Sequence, residues 1–244
     1  MIRVRGDGDL DPSLLEGARR ATGAVAVIDV FRAFTTAAVA LANGASSIVM
    51  VRSVEDAMAL REAGIGQICM GEVRGRTPDG FDFGNSPFAI SSVDFHSKTI
   101  IQRTSAGTQG IVAASRAERL YAASLVTAEA TVRALLSVSP DQVSLVAMGD
   151  NGRKRTDEDE LCAIHLRNRL EGRLSDADAI RRLILARGKV VRFHDPARPF
   201  LHPEDVDIAL DIDHYDFGVR VEFEDGRPVA RIETPMMTMS KSPM

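Results

Sequence analysis

Carboxylates, arginines and small polar residues follow several apolar runs of this sequence, and these are the side chains that could do chemistry. Clustered carboxylates without histidine or cysteine favour a hard, oxygen-ligated cation, above all Mg²⁺. Arginine can hold a phosphate through two parallel hydrogen bonds, and free N–H groups at a helix start bind oxyanions. Together these groups predict metal-assisted phosphoryl chemistry. The acids are Asp29, Glu72, Asp82, Glu158 and Asp159, the arginines are Arg32, Arg74, Arg76 and Arg103, and the polar turns contain Thr35, Thr36, Asn85, Ser86, Thr104, Ser105, Gly107 and Thr108.

The longest irregular stretch spans residues 71–87 and reads G-E-V-R-G-R-T-P-D-G-F-D-F-G-N-S-P. Its glycines and prolines predict a loop, and a loop of this length inside a compact domain usually binds something. Residues two apart in an extended segment face the same side, so Glu72, Arg74 and Arg76 can point into one cleft. The alternative for both arginines is a weak pairing with Asp79 and Asp82 in solvent.

Asp29 and Arg32 stand where an apolar strand passes into an alanine-rich helix. We predict that Arg32 binds a phosphoryl group, because its guanidinium and the helix-start N–H groups can share one oxyanion. A salt bridge from Arg32 to Asp29 that braces the turn is the alternative.

Four consecutive acids, residues 157–160, follow Thr156, which we expect to be the N-cap of a helix. Acids in a first helical turn complement the helix dipole, so these carboxylates need no ligand. They also repel one another, and a divalent cation would relieve that repulsion. Both interpretations stay open, as do a solvated cluster and an anion clamp for the basic residues 153–155.

Short apolar runs alternate with helical segments through the first two-thirds of the chain. This alternation predicts an α/β fold with a mainly parallel or mixed sheet covered by helices, in which the loops after the strands gather at one edge. Asp29, Glu72, Glu158 and Asp159 would then converge on one metal ion. The predicted strands are 24–28, 48–51, 68–70, 99–103, 120–123 and 143–148. Helices are predicted at 53–64, 111–117 and 127–138. One further helix is predicted to end at 43–44, and another to begin at 156.

The composition changes after Gly172, which predicts a core at 1–172 and a C-terminal portion at 173–244 packed on the same core. We expect a helix from Ser175, a proline-punctuated connection, and a hairpin at 219–223 and 229–232 around Asp225-Gly226. Because proline cannot donate to a strand ladder, Pro228 predicts that the second hairpin strand lies at an edge.

The 244 residues carry a net charge of −4, which supplies no general basic field for nucleic acid or an anionic membrane. No apolar run is long enough for a membrane span. Two cysteines in apolar surroundings and the lack of a leader-like segment predict the cytoplasm. Nucleotide binding is not indicated, because no Walker lysine and no G-x-G-x-x-G occurs at the expected places.

Four motifs in order carry a family resemblance: D-V-F-R-A-F-T-T at 29–36, G-E-x-x-G-x-x-x-x-G-F-D-F-G-N-S-P at 71–87, T-S-A-G-T at 104–108 and E-D-x-x-C-A at 158–163. The chain resembles the 2-phosphosulfolactate phosphatase family, known as ComB. The resemblance implies an α/β fold and Mg²⁺-dependent hydrolysis of 2-phosphosulfolactate to sulfolactate and phosphate, a step towards coenzyme M. Ala106 and Ile164 depart from the asparagine and glycine usual in that family.

The loops and the resemblance together predict an enzyme, a phosphoric monoester hydrolase, with a small phosphorylated acid as substrate. The alternatives are a binding protein for an anionic metabolite and a phosphatase of a different phospho-acid. A homodimer is compatible with the sequence. The expected catalytic residues are Asp29, Arg32, Glu72 and Asp82, the substrate ligands are Arg32, Thr35, Thr36, Arg74, Arg76, Asn85, Ser86, Thr104, Ser105, Gly107 and Thr108, and the Mg²⁺ ligands are Asp29, Glu72, Glu158 and Asp159.

Overall fold

A computed structural model describes residues 3–5, 14–187 and 189–234 of the chain. The described residues form an α/β fold around one mixed sheet, which confirms the predicted fold class. The strands are β1 (Arg3–Arg5), β2 (Gly23–Ile28), β3 (Ser47–Val51), β4 (Ile68–Gly71), β5 (Thr99–Arg103), β6 (Ala117–Ala123), β7 (Gln142–Ala147), β8 (Gly218–Glu224) and β9 (Arg227–Glu233). The helices are α1 (Leu14–Arg20), α2 (Ala33–Ala42), α3 (Val54–Glu62), α4 (Gly107–Ala113), α5 (Ala128–Ser137), α6 (Asp157–Leu170), α7 (Ala177–Ala186) and α8 (Glu204–Ala209).

The sheet has nine strands in the order β1-β7-β2-β6-β8-β9-β3-β5-β4. Strands β1, β7, β2 and β6 pair in parallel on one side, and β3, β5 and β4 pair in parallel on the other. The antiparallel hairpin β8–β9 lies between the two parallel groups. The predicted boundary at residue 172 falls within one sheet, because β8 and β9, which follow it in the sequence, pair in the middle of that sheet.

The predicted hairpin is confirmed, with Asp225 and Gly226 between its strands. The prediction that Pro228 makes β9 an edge strand is wrong, because β9 pairs with β8 on one side and with β3 on the other. The register explains how the proline is tolerated. Pairing with β3 starts beyond it, at Val229 opposite Val49, so the missing N–H of Pro228 interrupts no ladder on that side.

The two parallel groups run in opposite directions, since three antiparallel pairings separate β6 from β3. The expectation of one edge shared by all carboxyl ends therefore needs correction. The ends still meet: the N–H of Gly107, just after β5, donates to Asp29 Oδ2 just after β2, over 2.8 Å. Neighbouring strands rotate by roughly 20–25°, and over several strands this rotation brings opposed ends together.

Helices cover both faces of the sheet. Helix α2 is buried along its whole length from Ala33 to Leu41, in a cluster with residues of α4 and of both parallel groups. Helices α5 and α6 pack on the opposite face of β2, β6 and β7. Because every residue of α2 except Ala42 is buried, its alanines and Val39 serve packing rather than amphipathicity.

The predicted helix starts agree with the structure at some positions and differ at others. The capping box of Ser53 and Asp56 is confirmed, with both reciprocal hydrogen bonds formed. Helix α4 begins at Gly107 instead of the expected Ile111, and α7 begins at Ala177, capped by Asp176, instead of at the expected Ser175. Thr156 occupies the N-cap position of α6, but its hydroxyl makes no capping bond.

Both cysteines, Cys69 and Cys162, are buried free thiols. A bilayer-spanning helix is not found in the described part of the chain, whose helices are too short or too polar for that role.

Candidate active site

A cleft of about 650 Å³ opens where the carboxyl ends of β2, β4, β5 and β7 meet a C-terminal strap, defined here as residues 192–201. Its wall carries both arginines and carboxylates. The lining residues are Asp29, Phe31 and Arg32 after β2; Glu72, Arg74, Gly75, Arg76 and Asn85 from the long loop; Ser105 and Ala106 after β5; Gly149, Asp150, Asn151, Thr156 and Glu158 after β7; and Arg192, Asp195, Ala197, Arg198, Phe200 and Leu201 from the strap.

Asp29 is a buried carboxylate held at the cleft by two backbone N–H groups. Its Oδ1 accepts the N–H of Ala33 at 3.1 Å and its Oδ2 accepts the N–H of Gly107 at 2.8 Å. Burial raises the pKa of Asp29 from 3.8 to about 7, with Glu72 and Glu158 adding repulsion against the two backbone donors. The side chain is therefore placed to gain from any positive charge that enters the cleft.

The two middle acids of the run 157–160 are buried, whereas the outer two are partly exposed. Asp159 joins two strand ends, because its oxygens accept the N–H groups of Val30 and Gly149, each at 2.8 Å. Burial, with repulsion from Asp29 and Glu158, raises the pKa of Asp159 well above its ordinary value. Glu158 lines the cleft, so the acidic run does more than complement the helix dipole.

Glu72 fixes the polar turn after β5. Its Oε1 accepts the N–H of Ser105 at 2.6 Å, and its Oε2 accepts the N–H of Gly75 at 2.5 Å and the hydroxyl of Ser105 at 3.1 Å. Arg103 donates to the carbonyl of Glu72 at 2.6 Å. The long loop and the turn after β5 are thus tied together at one carboxylate.

Arg32 is buried at the cleft and does not pair with Asp29. Its Nη1 donates to Asp205 Oδ2 at 2.7 Å and to the carbonyl of Phe200 at 3.0 Å. The alternative of an Arg32–Asp29 salt bridge is therefore wrong, because Arg32 forms its ion pair with Asp205, which lies much later in the sequence. Asp29 is occupied instead by the backbone N–H groups of Ala33 and Gly107.

Asp205 is a functional candidate that sequence reasoning missed. Besides Arg32, its carboxylate accepts the hydroxyl of Ser86 at 2.6 Å and the N–H groups of Phe88 at 3.1 Å and His202 at 3.3 Å. It joins the end of the long loop to the start of α8. The local sequence H-P-E-D indicates only a helix start, and nothing in it signals that the second acid is buried.

Most hydroxyls predicted to bind substrate stabilise the backbone instead. Thr35 donates to the carbonyl of Val30 at 2.8 Å, and the hydroxyls of Thr104 and Thr108 accept each other's N–H at 3.1 and 2.8 Å. Like Thr36 and Ser86, these side chains are buried and lie outside the cleft wall. The predicted substrate ligands that do line the cleft are Arg32, Arg74, Arg76, Asn85 and Ser105.

Asp82, predicted as a catalytic residue, lies outside the cleft. Its Oδ2 accepts the N–H of Cys69 at 2.8 Å and pairs with Arg61 at 3.2 Å. The side chain thus fastens the long loop to the start of β4. The loop turns between Glu72 and Asp82, which carries the second acid to the opposite side of β4 from the first.

The donor chemistry of the cleft fits a hard divalent cation. Asp29, Glu72 and Glu158 line it, and Asp159 lies behind them. A carboxylate oxygen has room for two partners, so Asp29, with one N–H on each oxygen, keeps acceptor capacity. Among the described residues, no three Asp, Glu, His or Cys side chains stand as a preformed metal site. A Mg²⁺ ion at these carboxylates accordingly remains a prediction.

The strap supplies further cleft residues that sequence reasoning missed, chiefly Arg192, Arg198 and Phe200. Phe200 contacts the long loop, since the guanidinium of Arg76 stands 5.2 Å over its ring. The proline-rich stretch around residues 195–203 predicted a turn-rich connection, but no periodic pattern placed it against the strand ends. The exposed residues Arg153, Lys154 and Arg155 do not line the cleft, and Arg155 pairs with Glu160 at 2.9 Å.

The part of the chain that carries most of the cleft residues is similar to known proteins. The model of the 2-phosphosulpholactate phosphatase family matches residues 10–198. The chain is 41% identical over 127 residues to a probable 2-phosphosulfolactate phosphatase of Thermotoga petrophila, covering 52% of this chain and 54% of that protein. It is 31% identical over 186 residues to one of Bacillus subtilis, covering 74% and 78%. The match thus spans about half the length of the first relative and over three-quarters of the second. Because the family match extends through most of the described chain, the protein belongs to the 2-phosphosulpholactate phosphatase family.

Proposed function

We propose that the protein is a phosphatase that hydrolyses a small phosphorylated organic acid, with 2-phosphosulfolactate as the first candidate. The family and the names of its relatives support this substrate. The cleft supports it independently, because arginines that can hold several acid groups line the same wall as buried carboxylates. The two free thiols favour a reducing compartment, the cytoplasm, for this activity.

The observation that carries the proposal is the placement of Asp29 and Arg32 on one cleft wall, with Asp29 held by Ala33 and Gly107 and Arg32 held by Asp205 and the carbonyl of Phe200. Both hydrogen bonds that fix Arg32 use Nη1, which leaves Nε and Nη2 for phosphoryl oxygens. A guanidinium held in advance stabilises the charge that develops on those oxygens without reorganising. The substrate's phosphoryl group is therefore assigned to the space between Arg32 and Asp29.

Asp29, Glu72 and Glu158 are the proposed ligands of Mg²⁺, which when bound would neutralise phosphoryl oxygens and activate a water molecule. The chain's own contribution is to hold these carboxylates apart from solvent. Asp29 is 6% exposed and Glu158 3% exposed, so both face the cleft with little competing water. Asp159 keeps the ends of β2 and β7 together through its two backbone partners and so sets the spacing of the ligands.

Phosphate release from three substrates tests the proposal: 2-phosphosulfolactate, 2-phospholactate and glycerol 2-phosphate, each with Mg²⁺ and with EDTA. We expect release only with Mg²⁺ and fastest from 2-phosphosulfolactate, because each lost acid group removes binding energy. The matched variant Asp29→Asn keeps the shape of the side chain and should abolish release.

Two results would contradict the proposal. Binding of 2-phosphosulfolactate without phosphate release in any metal would make the protein a binding module instead. Equal rates with all three esters would leave the phosphatase activity in place and remove the assignment of an acidic substrate.

A further inference from the structure

The arginines that line the cleft differ in how far their guanidinium groups are occupied. Arg32 pairs with buried Asp205 at 2.7 Å, and Arg198 pairs with Asp195 at 3.3 Å on the strap. Arg76 stands over the ring of Phe200 at 5.2 Å. Each of these three side chains, Arg32, Arg198 and Arg76, is thus held by a contact with another residue of the protein.

Arg192 is less occupied than these. Its nearest carboxylate oxygen in the described chain is Glu158 Oε1 at 4.0 Å, which is beyond hydrogen-bond distance. Its Nε is buried and has no hydrogen-bond partner among the described residues. The side chain is 28% exposed and lines the cleft. Among the described residues, the guanidinium therefore has no hydrogen bond to a carboxylate, and its Nε is unpaired.

The position of Arg192 is set by Phe193, which is 2% exposed. The guanidinium of Arg192 lies 5.2 Å from the centre of this ring, and that of Arg32 lies 5.9 Å from it. Phe31 packs edge-on against the same ring at 5.3 Å. Two guanidinium groups thus lie against one ring at the cleft: Arg32 is hydrogen-bonded to a carboxylate, whereas Arg192 approaches one only to 4.0 Å.

We infer that Arg192 binds the substrate's second acid group, a sulfonate or carboxylate, while Arg32 binds the phosphoryl group. The inference rests on the proposed function, and it deepens that function by assigning the residue that selects acidic esters. Both guanidinium groups lie within 6 Å of the centre of one ring, and both residues line the same cleft. A sulfonate offers three acceptor oxygens, and a guanidinium binds such a planar face with two charged hydrogen bonds.

Glu158 alone does not account for Arg192. Glu158 would be satisfied by a direct ion pair, yet the 4.0 Å separation leaves the pair open. On the same helix, neighbouring Asp157 pairs with Arg187 at 3.4 Å, and Arg187 lies outside the cleft. The two arginines therefore form a matched pair of variants: each faces a carboxylate of the first turn of α6, but only Arg192 faces the cleft.

Calorimetric titration with sulfolactate and, separately, with inorganic phosphate tests the assignment in buffer containing Mg²⁺. For Arg192→Ala we expect sulfolactate affinity to fall by at least about tenfold and phosphate affinity to change less than about twofold. Arg192→Lys keeps the charge without the planar fork and should lie between wild type and Arg192→Ala. Arg187→Ala should bind both ligands as wild type does.

The outcomes separate the inference from the proposed function. Equal losses for both ligands, or no loss for either, would overturn the role of Arg192. Failure of wild type to bind sulfolactate at millimolar concentration would overturn it as well. If Arg192 controls sulfolactate binding but 2-phosphosulfolactate is not hydrolysed, the acid-binding site stands and the phosphatase proposal falls.

Discussion

Arg32 and Asp205 form a buried ion pair across the wall of the cleft, with Nη1 and Oδ2 2.7 Å apart and side chains 4% and 0% exposed. The two residues lie far apart in the sequence. Asp205 lies beyond the stretch that matches the family, residues 10–198. The orientation of the proposed phosphoryl ligand therefore depends on a residue that no local motif identifies.

Asp205→Asn is expected to weaken both the fold and the reaction. Breaking one half of a buried pair leaves the other charge uncompensated, which typically costs about 3–5 kcal/mol of folding free energy. We expect kcat/KM to fall at least about tenfold because Arg32 loses its orientation. Denaturant unfolding and steady-state kinetics measure the two effects.

The control for Asp205→Asn is Asp82→Asn, because Asp82 pairs with Arg61 at an exposed position outside the cleft. An exposed pair is worth about 1 kcal/mol or less. We expect near wild-type kinetics for Asp82→Asn. A large loss of activity there would restore Asp82 as a catalytic residue, and wild-type behaviour of Asp205→Asn would show that Arg32 needs no such partner.

Arg32→Lys should keep the positive charge and the fold while losing the bidentate fork. Each charged hydrogen bond is worth roughly 1.5–3 kcal/mol, so we expect kcat/KM to fall by about one to two orders of magnitude. Melting temperature serves as the check on folding. A wild-type rate in a correctly folded Arg32→Lys protein would remove Arg32 from the phosphoryl site.

Stability of the metal-free protein should fall as pH rises. The pKa of Asp29 is raised from 3.8 to about 7 in the fold, so the folded state binds a proton that the unfolded state has released in this range. The stabilising contribution of protonated Asp29 is thus complete below its ordinary pKa and lost as pH rises through about 7. Thermal unfolding between about pH 5 and pH 8 measures this, and Asp29→Asn should flatten the profile.

Mg²⁺ provides a second readout of the same carboxylate. A cation binds the ionised form, so added Mg²⁺ should raise the melting temperature more at about pH 8 than at about pH 5. EDTA should reverse the shift. An equal Mg²⁺ effect at both pH values, or an undiminished effect in Asp29→Asn, would place the ion elsewhere.

Gly107→Ala should disturb the cleft through space alone. An added Cβ would lie 2.8 Å from the Cβ of Ala33 and 2.9 Å from Asp29 Oδ2, closer than side-chain carbons normally approach. Overpacking of this kind costs typically about 1–3 kcal/mol, and the displacement of Asp29 should lower kcat. Gly218→Ala is the matched control, because its nearest neighbour is 3.6 Å away. Equal kinetics for the two variants would contradict the close approach.

The sequence predicted local structure well where one short signal decides it. Strand β5 was predicted with its observed bounds at 99–103, and the capping box of Ser53 and the turn of Asp225 and Gly226 were found as expected. Each of these depends on residues a few positions apart. Asp29, Arg32, Glu72 and Glu158, which the sequence marked by their places in the loops after strands, all line one cleft.

What the sequence did not reveal depends on pairings between distant segments. The insertion of β8 and β9 between β6 and β3 has no periodic signal, since a hairpin reads the same at an edge and at a centre. Arg192 and Asp205 flank the proline-rich stretch at residues 195–203, which indicates turns but not what the turns contact. Thr35 and Thr108 showed the converse error, because hydroxyls that suit an anion also suit a helix start.

The central hairpin also has a consequence during protein synthesis. The ribosome makes every strand of both parallel groups before it makes β8 and β9, so β6 and β3 stay unpaired along one side until the hairpin emerges. Unpaired strand edges are templates for aggregation, and late, non-local pairing slows folding. A nascent chain stalled before Gly218 would therefore expose unpaired edges at β6 and β3, which can associate with other chains. It would also lack the hairpin that joins the two parallel groups of strands whose ends line the cleft.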